Sequence, residues 1–210
     1  MDQAYINSYL AKLPFELPQG LADKILVYLE LLVKWNKAYN LTAIRSQEQM
    51  LTHHILDSLS VAPYLMGPRI LDVGTGPGFP GLPLAMMMPE QHFILLDSNS
   101  KKTRFVNQVV MELGLDNVEV VTGRAENYEP DQGVNTVVSR AFTSLEEFVQ
   151  KTSSCCVKKG LLIAMKGRYP TDEIASLELV EPGTKTETIK IDVPELNAER
   201  HLVLIRPLEL

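Results

Sequence analysis

Four glycines crowd one turn after a short apolar strand, and this turn is the strongest chemical signal in the sequence. Gly74, Gly76, Gly78 and Gly81 follow a predicted strand over 69–74. Glycines at this spacing let the backbone approach a ligand that a Cβ would push away. The turn therefore predicts a cofactor-binding loop between a strand and a helix.

Two kinds of cofactor fit the spacing of these glycines, because G-x-G-x-x-G is also the fingerprint of dinucleotide-binding folds. Asp72, at the end of the strand, would repel a pyrophosphate but suits the positively charged methionine part of S-adenosylmethionine. Pro77 and Pro80 stiffen the turn and have no N–H group to offer a phosphate. These features favour S-adenosylmethionine over NAD.

Polar residues also lie at or just beyond the ends of the next three predicted strands, where ligands bind in folds of this kind. Asp97, followed by Ser98, is placed to accept both hydroxyls of an adenosine ribose, although NAD would use the same acid. The amide of Ala125 and the carboxylate of Glu126 are candidates to meet the adenine amine. Arg140 closes the fourth strand and is the strongest candidate outside the glycine turn.

The elements that must position these residues alternate between strand and helix. This alternation predicts a doubly wound α/β fold, a mostly parallel sheet of seven strands with helices on both faces. The last two strands are too close in sequence for a crossover helix, so they are expected to form an antiparallel edge. After the first strand, the predicted strands are 92–97, 118–122, 136–139, 161–166, 186–191 and 201–205, with helices near Leu82 and over 101–113 and 145–157.

Ahead of the first strand the hydrophobic pattern is helical. From Leu21 onward apolar residues recur three and four positions apart, which predicts an amphipathic helix. A second helical stretch, 47–65, would place His54 and Asp57 on one side. The predicted division is a helical N-terminal subdomain, 1–65, followed by the cofactor-binding domain, 66–210.

The composition and the hydrophobic pattern limit which metals, membranes and partners are expected. Cys155 and Cys156 are the only cysteines, with no neighbouring histidine or second pair, so no metal site is expected. Residues 1–20 do not read as a secretory signal, and no apolar run reaches the roughly 20 residues that cross a bilayer. We expect a cytoplasmic monomer with neither membrane nor DNA as a partner. The net charge of −6 means that an RNA substrate would have to be bound by local basic patches.

Short segments spread along the chain carry a family resemblance: 34–42 (KWNKAYNLT), 54–58 (HILDS), 72–81, 96–98 (LDS), 139–141 (SRA) and 166–167 (KG). The sequence resembles the glucose-inhibited division protein B family of bacterial 16S ribosomal RNA guanine-N7 methyltransferases. The resemblance implies a class I methyltransferase domain with a helical N-terminal extension, and 16S ribosomal RNA or the small ribosomal subunit as partner. It also implies a cofactor pocket that touches Gly74, Phe79, Ala125, Glu126 and Arg140.

The implied reaction asks little acid–base chemistry of the protein. Guanine N7 has an in-plane lone pair and no proton to lose, so displacement on a sulfonium methyl group needs no general base. The enzyme chiefly has to position two reactants. We expect Arg140, Lys166 and the helix carrying His54 and Asp57 to orient the RNA. The plainer interpretations are that His54 is a packed core side chain and that Asp57 forms a structural ion pair.

Two basic clusters are further candidates for RNA binding. If both lie near the carboxyl ends of strands, they would form a shared phosphate-binding rim. The plainer interpretation of each is a solvated surface. The first cluster is Lys101, Lys102 and Arg104, and the second is Lys158, Lys159, Lys166 and Arg168.

Three classes of function compete on these residues. The first is an RNA methyltransferase, and the second is a non-catalytic RNA-binding protein that retains the cofactor fold. The third, an NAD-dependent oxidoreductase, tolerates Asp72 poorly. A degenerate pocket would usually have lost some of the glycines, Asp72 or Asp97, so the sequence favours the methyltransferase.

Overall fold

One seven-stranded sheet forms the centre of the molecule. The computed structural model describes residues 1–140, 142 and 144–206; Ala141, which belongs to one of the resemblance segments, lies outside them. The strands are β1 (Arg69–Val73), β2 (His92–Asp97), β3 (Val118–Thr122), β4 (Val134–Ser139), β5 (Cys156–Lys166), β6 (Lys185–Ile191) and β7 (Arg200–Arg206). Their order is β3-β2-β1-β4-β5-β7-β6, parallel from β3 to β5, with β7 antiparallel to both β5 and β6. The predicted sheet and its antiparallel edge are confirmed.

Helices cover both faces of this sheet because alternate strand residues point to opposite sides. The helices outside the N-terminal segment are α5 (Gly81–Met87), α6 (Ser100–Leu113), α7 (Leu145–Thr152) and α8 (Thr171–Val180), with 3-10 turns at Ala125–Asn127 and Ser153–Cys155. Ile70 and Phe93 join the core beneath the N-terminal helices, α5 and α6. Leu71 and Ile94 join the core beneath α7 and α8.

The N-terminal segment is helical and packs against one face of the sheet. Its second predicted helix, 47–65, is a composite with a π-helical stretch at its centre, which carries His53 and His54. Such π turns are rare and frequently occur at functional sites. The elements are α1 (Gln3–Leu10), α2 (Leu21–Tyr39), α3 (Gln47–Met50), the π-helix Leu51–Leu56, α4 (Asp57–Leu59) and the 3-10 turn Ala62–Tyr64.

The start of β5 differs from the prediction. The helix was expected to run to Val157, but β5 already begins at Cys156. Lys159 has a left-handed φ of 65°, and a Cβ on Gly160 would lie 2.9 Å from the Cys156 Cβ, so the strand is kinked where its hydrophobic periodicity breaks. The prediction also lacked α8 altogether.

The position of this kinked segment contradicts part of the predicted phosphate-binding rim. Lys158 and Lys159 are exposed at the amino end of β5, close to where Cys156 pairs with Val134 at the start of β4. Lys166 lies at the carboxyl end of the same strand. The second basic cluster is therefore split between opposite edges of the sheet, and the shared rim is wrong for Lys158 and Lys159.

No helix within the described part of the chain has the length and apolar character needed to span a membrane.

Candidate active site

Two cavities open at the carboxyl edge of the parallel strands, near the point between β1 and β4 where the strand order reverses. Ligands bind at such switch points in doubly wound sheets. The end of β4 borders both cavities, since Phe142 lines the first and Arg140 the second. The first, called the cofactor cleft, has a volume of about 370 Å³ and is lined by Val73, Gly74, Leu96, Asp97, Ser98, Lys102, Gly123, Arg124, Ala125, Glu126, Phe142, Glu147 and Lys151. The second, called the basic cavity, measures about 440 Å³ and is lined by Ile44, His53, His54, Asp57, Arg140, Met165, Lys166, Gly167 and Arg200.

The loop between β1 and α5, residues 74–81, is held by its own backbone hydrogen bonds. Its first half donates to β2, at the carbonyl of Leu96 and the carboxylate of Asp97, and its tip donates to the carbonyl of Thr75. The donors are Gly74, Thr75, Gly76, Gly78, Phe79 and Gly81, whereas Pro77 and Pro80 have no N–H group. Throughout this fully described loop no N–H group is left over to cradle a pyrophosphate. The geometry therefore argues against NAD.

Asp72 lies behind this loop and is fully buried. Its Oδ2 accepts hydrogen bonds from the Thr75 hydroxyl at 2.7 Å and from the Gly81 N–H at 2.8 Å. Burial raises the pKa of this carboxyl group to about 7, although the two hydrogen bonds oppose the shift. A side chain at Gly81 would collide with Leu95 and with the Asp72 carboxylate. Asp72 thus fixes the loop from behind and does not line the cofactor cleft.

Asp97 provides the cleft with a carboxylate suited to an adenosine ribose. Its Oδ2 accepts the Gly76 N–H and its Oδ1 accepts the Asn99 N–H, each at 2.8 Å. An ionised carboxyl group has about four acceptor sites, so two remain for the two ribose hydroxyls. A Cβ on Gly76 would meet nothing closer than 3.9 Å, which leaves open space beside the loop. These features fit S-adenosylmethionine.

Asp57 is the centre of the basic cavity. Its carboxylate is 2% exposed and accepts a hydrogen bond from Arg200 Nε at 2.7 Å and another from Arg140 Nη1 at 3.2 Å. Arg140 also donates to the carbonyl of His53 at 3.2 Å, and Arg200 to that of Glu199 at 2.8 Å. One buried anion therefore holds two guanidinium groups in fixed directions. The trio keeps a net positive charge at the wall of the cavity.

The His54 ring links the basic cavity to the cofactor loop. It stacks on Phe79 with ring centroids 4.5 Å apart, and its Nε2 lies 2.9 Å from the Thr42 hydroxyl. The Arg140 guanidinium lies 5.3 Å from the centre of the same Phe79 ring. Burial, followed by the nearby charge of Arg140, lowers the pKa of His54 to about 3. The ring is therefore neutral at physiological pH and does not act as a general acid.

Lys166 completes the basic cavity from the end of β5. Its ammonium group donates to Glu173 at 2.7 Å and to the carbonyl of Phe142 at 3.2 Å. The antiparallel pairing of Lys166 with His201 places it beside Arg200 at the start of β7. Cationic groups from β4, β5 and β7 thus meet at one cavity, in a chain whose net charge is −6.

The structure sorts the predicted site residues into three groups. Those that line the cofactor cleft are Gly74, Asp97, Ser98, Ala125 and Glu126. Those within or behind the loop are Asp72, Gly76, Gly78 and Phe79. Those that line the basic cavity are His54, Asp57, Arg140 and Lys166. Arg140 had been predicted for both roles, and it borders the basic cavity rather than the cofactor cleft.

Sequence reasoning missed several charged residues at these cavities, among them Glu147, Lys151 and Arg200. Glu147 and Lys151 pair at 2.6 Å on α7 and line the cofactor cleft. The start of α7 shortly after Arg140 was a usable signal, because a helix that follows a strand end borders the same edge. Arg200 had no such signal, since its partner Asp57 lies 143 positions away.

A doubly wound sheet with a carboxylate at the end of β2 and a glycine loop that spares no amide for phosphate is typical of a class I S-adenosylmethionine-dependent methyltransferase. Two solved structures share this fold with TM-scores of 0.57. They are a precorrin-6y C5,15-methyltransferase from Geobacter metallireducens, at 15% identity over 81% of this chain and 93% of that one, and a SAM-dependent methyltransferase from Aquifex aeolicus, at 19% identity over 75% and 93%.

The chain belongs to the GidB family, described as rRNA small subunit methyltransferase G, whose profile matches residues 21–203. The ribosomal RNA small subunit methyltransferase G of Chromobacterium violaceum is 50% identical over 204 residues, which is 97% of each chain. The protein of that name from Nitrosococcus oceani is 49% identical over 202 residues, 94% of this chain and 92% of its own. The family resemblance and the use of S-adenosylmethionine, both expected from the sequence, are confirmed.

Proposed function

We propose that this protein transfers a methyl group from S-adenosylmethionine to N7 of a guanine in 16S ribosomal RNA of the small subunit. The observation that carries the proposal is the pair of cavities that share the end of β4, one acidic at its ribose-binding end and one basic. A cationic cofactor and an anionic RNA can then meet across Arg140 and Phe142. The names of the family and of its relatives supply the ribosomal substrate.

On this proposal the cofactor cleft holds S-adenosylmethionine through three contacts. Asp97 accepts the ribose hydroxyls, and Ser98 lies next to it. Ala125 and Glu126 meet the adenine, while the loop from Gly74 carries the methionine part. When bound, the cofactor supplies a methyl group on a sulfonium centre.

The basic cavity orients the RNA. Arg140, Arg200 and Lys166 offer guanidinium and ammonium donors to phosphate oxygens, which position a nucleic acid without reading its sequence. Asp57 acts through the two arginines, because its oxygens are already bonded and its side chain is 2% exposed. No side chain is assigned as a general base, since guanine N7 loses no proton. His54, neutral and stacked on Phe79, supports Arg140.

The proposal also covers the domain division, the location and the partners of the protein. Residues 1–65 form a helical subdomain that supplies one wall of the basic cavity, and residues 66–210 form the methyltransferase domain. A ribosomal substrate fits a cytoplasmic location, and we expect the protein to act there as a monomer. DNA, a membrane and a metal ion have no part in the proposed reaction.

The test is transfer of labelled methyl from S-adenosylmethionine to small subunits and to stripped 16S RNA in parallel, with mapping of the modified base. Label at a single guanine N7 is the expected result. Arg140→Ala should reduce transfer at least tenfold, whereas Lys158→Ala, a charge removed from the opposite edge of the sheet, should leave it unchanged. Cofactor binding without transfer would overturn the reaction but not the fold, and it would favour the non-catalytic RNA-binding protein.

A further inference from the structure

The N-terminal helix α2 contacts the cofactor loop through Tyr28. This side chain is fully buried, and its hydroxyl donates a 2.6 Å hydrogen bond to the carbonyl of Pro77, 49 positions further along. Its ring lies 5.4 Å from that of Phe79. A Cβ added to Gly78 would come within 3.0 Å of the same hydroxyl. Tyr28 therefore touches three consecutive residues at the tip of the loop.

The hydroxyl of Tyr28 contributes the hydrogen bond to Pro77, whereas core packing needs only the ring. Its nearest neighbours on the buried stripe of α2, Ile25 and Leu32, are apolar, so phenylalanine would fill the same space. A buried hydroxyl costs free energy unless it is hydrogen bonded. Burial raises the pKa of this hydroxyl well above its usual value, so it remains protonated and able to donate. The Pro77 carbonyl receives a donor that the loop does not supply.

The tip of the loop depends on this donor more than its ends do. The first half, at Gly74 to Gly76, is bonded to β2, and Gly81 is bonded to Asp72 in β1. Within the described residues, the backbone bonds of Pro77 and Gly78 other than the one from Tyr28 stay inside the turn or its helix. Gly76 and Gly78 both have positive φ values, a conformation with many alternatives for glycine.

We infer that Tyr28 is a positioning residue for the cofactor: through Pro77 it fixes the loop that receives the methionine part of S-adenosylmethionine. The inference rests on the proposed function, because it takes the cleft beside the loop as the cofactor site. Tyr28 lines neither cavity and touches no reacting atom. Helix α2 is then part of the cofactor site as well as a support for the RNA side.

The experiment compares Tyr28→Phe with the matched control Thr136→Val. Thr136 lies in β4 away from the loop and is equally buried, and its hydroxyl donates to the carbonyl of Met66 at 2.8 Å and accepts from the Met66 N–H at 2.9 Å. Tyr28→Phe loses one hydrogen bond of a buried hydroxyl and Thr136→Val loses two, while both keep the overall shape of the side chain. For each we would measure the dissociation constant of S-adenosylmethionine by calorimetry, the urea midpoint, and amide hydrogen exchange across residues 74–81.

The expected result separates affinity from stability. Tyr28→Phe should weaken cofactor binding about 5- to 10-fold, the effect of one lost hydrogen bond, and speed exchange in the loop. Thr136→Val should lower the urea midpoint at least as much as Tyr28→Phe does and leave both loop readouts unchanged. Equal cofactor affinity in Tyr28→Phe and wild type, or equal weakening in both variants, overturns the inference. A wild-type protein that binds cofactor but methylates no RNA would overturn only the proposed reaction.

Discussion

Replacing Asp57 by Asn tests whether one buried carboxylate organises the basic cavity. Asn keeps the shape of the side chain but leaves Arg140 and Arg200 without a counter-charge. Removing one member of a buried ion pair costs about 3–5 kcal/mol. The guanidinium side chains are 27% and 20% exposed, so water compensates in part and the lower end, about 3 kcal/mol, is the expected loss of unfolding free energy.

The matched control for this variant is Glu195→Gln. Glu195 pairs with Lys12 at 2.7 Å, the same distance as Asp57 to Arg200, but the two side chains are 48% and 44% exposed. Exposed pairs contribute about 1 kcal/mol or less, so this variant should hardly change stability. Urea denaturation followed by circular dichroism measures both losses on the same scale.

Loss of the contacts between Asp57 and the two arginines should also reduce methylation of the RNA. With the arginines released, we expect kcat/KM for the small subunit to fall at least tenfold, while the dissociation constant for S-adenosylmethionine stays within about twofold. The reasoning would be refuted if Asp57→Asn destabilised the protein no more than Glu195→Gln does. It would also be refuted if the variant bound RNA normally, because Asp57 would then be a structural ion pair without influence on the substrate.

Three further predictions concern Asp97, Asp72 and His54. Asp97→Ala should raise the dissociation constant for S-adenosylmethionine by tenfold or more in calorimetry, with Ser98→Ala as the milder control. The Asp72 carboxyl group keeps its proton in the folded state up to about pH 7 but loses it near pH 4 when unfolded, so its contribution destabilises the fold increasingly from pH 4 to 7, by roughly 4 kcal/mol. Urea unfolding at pH 5 and pH 8 should show a smaller difference for Asp72→Asn than for wild type. Because His54 is neutral above about pH 3, its protonation does not change between pH 6 and 8. The pH dependence of the methylation rate over this range should therefore be the same in His54→Gln as in wild type.

The fold was largely predictable because its signals are local. A strand that runs into a glycine turn, followed by alternating strands and helices, determines the parallel sheet, and the short link between β6 and β7 determines the antiparallel edge. The kink at Lys159 and Gly160 was not predictable in this way. It replaces the period of two by an irregular stretch, so the start of β5 resembled the end of a helix.

The cofactor residues were easier to predict than the contacts of the basic cavity. Asp97 is the last residue of β2, and its position at the sheet edge follows from the topology. Asp57 meets Arg140 across 83 positions and Arg200 across 143, so their pairing depends on how the N-terminal helices dock on the sheet. Sequence periodicity could place Asp57 on a helix face, but it could not supply its partners.

The internally bonded loop has a consequence for genetics. Since its amides, its glycines and Asp72 belong to the same hydrogen-bond network as β1 and β2, substitutions there disturb folding together with ligand capture. Mutants selected for loss of methylation should therefore fall into two groups distinguishable by protein abundance. Changes at the loop would deplete the protein from the cell, whereas changes at residues that only line a cavity would leave normal amounts of an inactive enzyme.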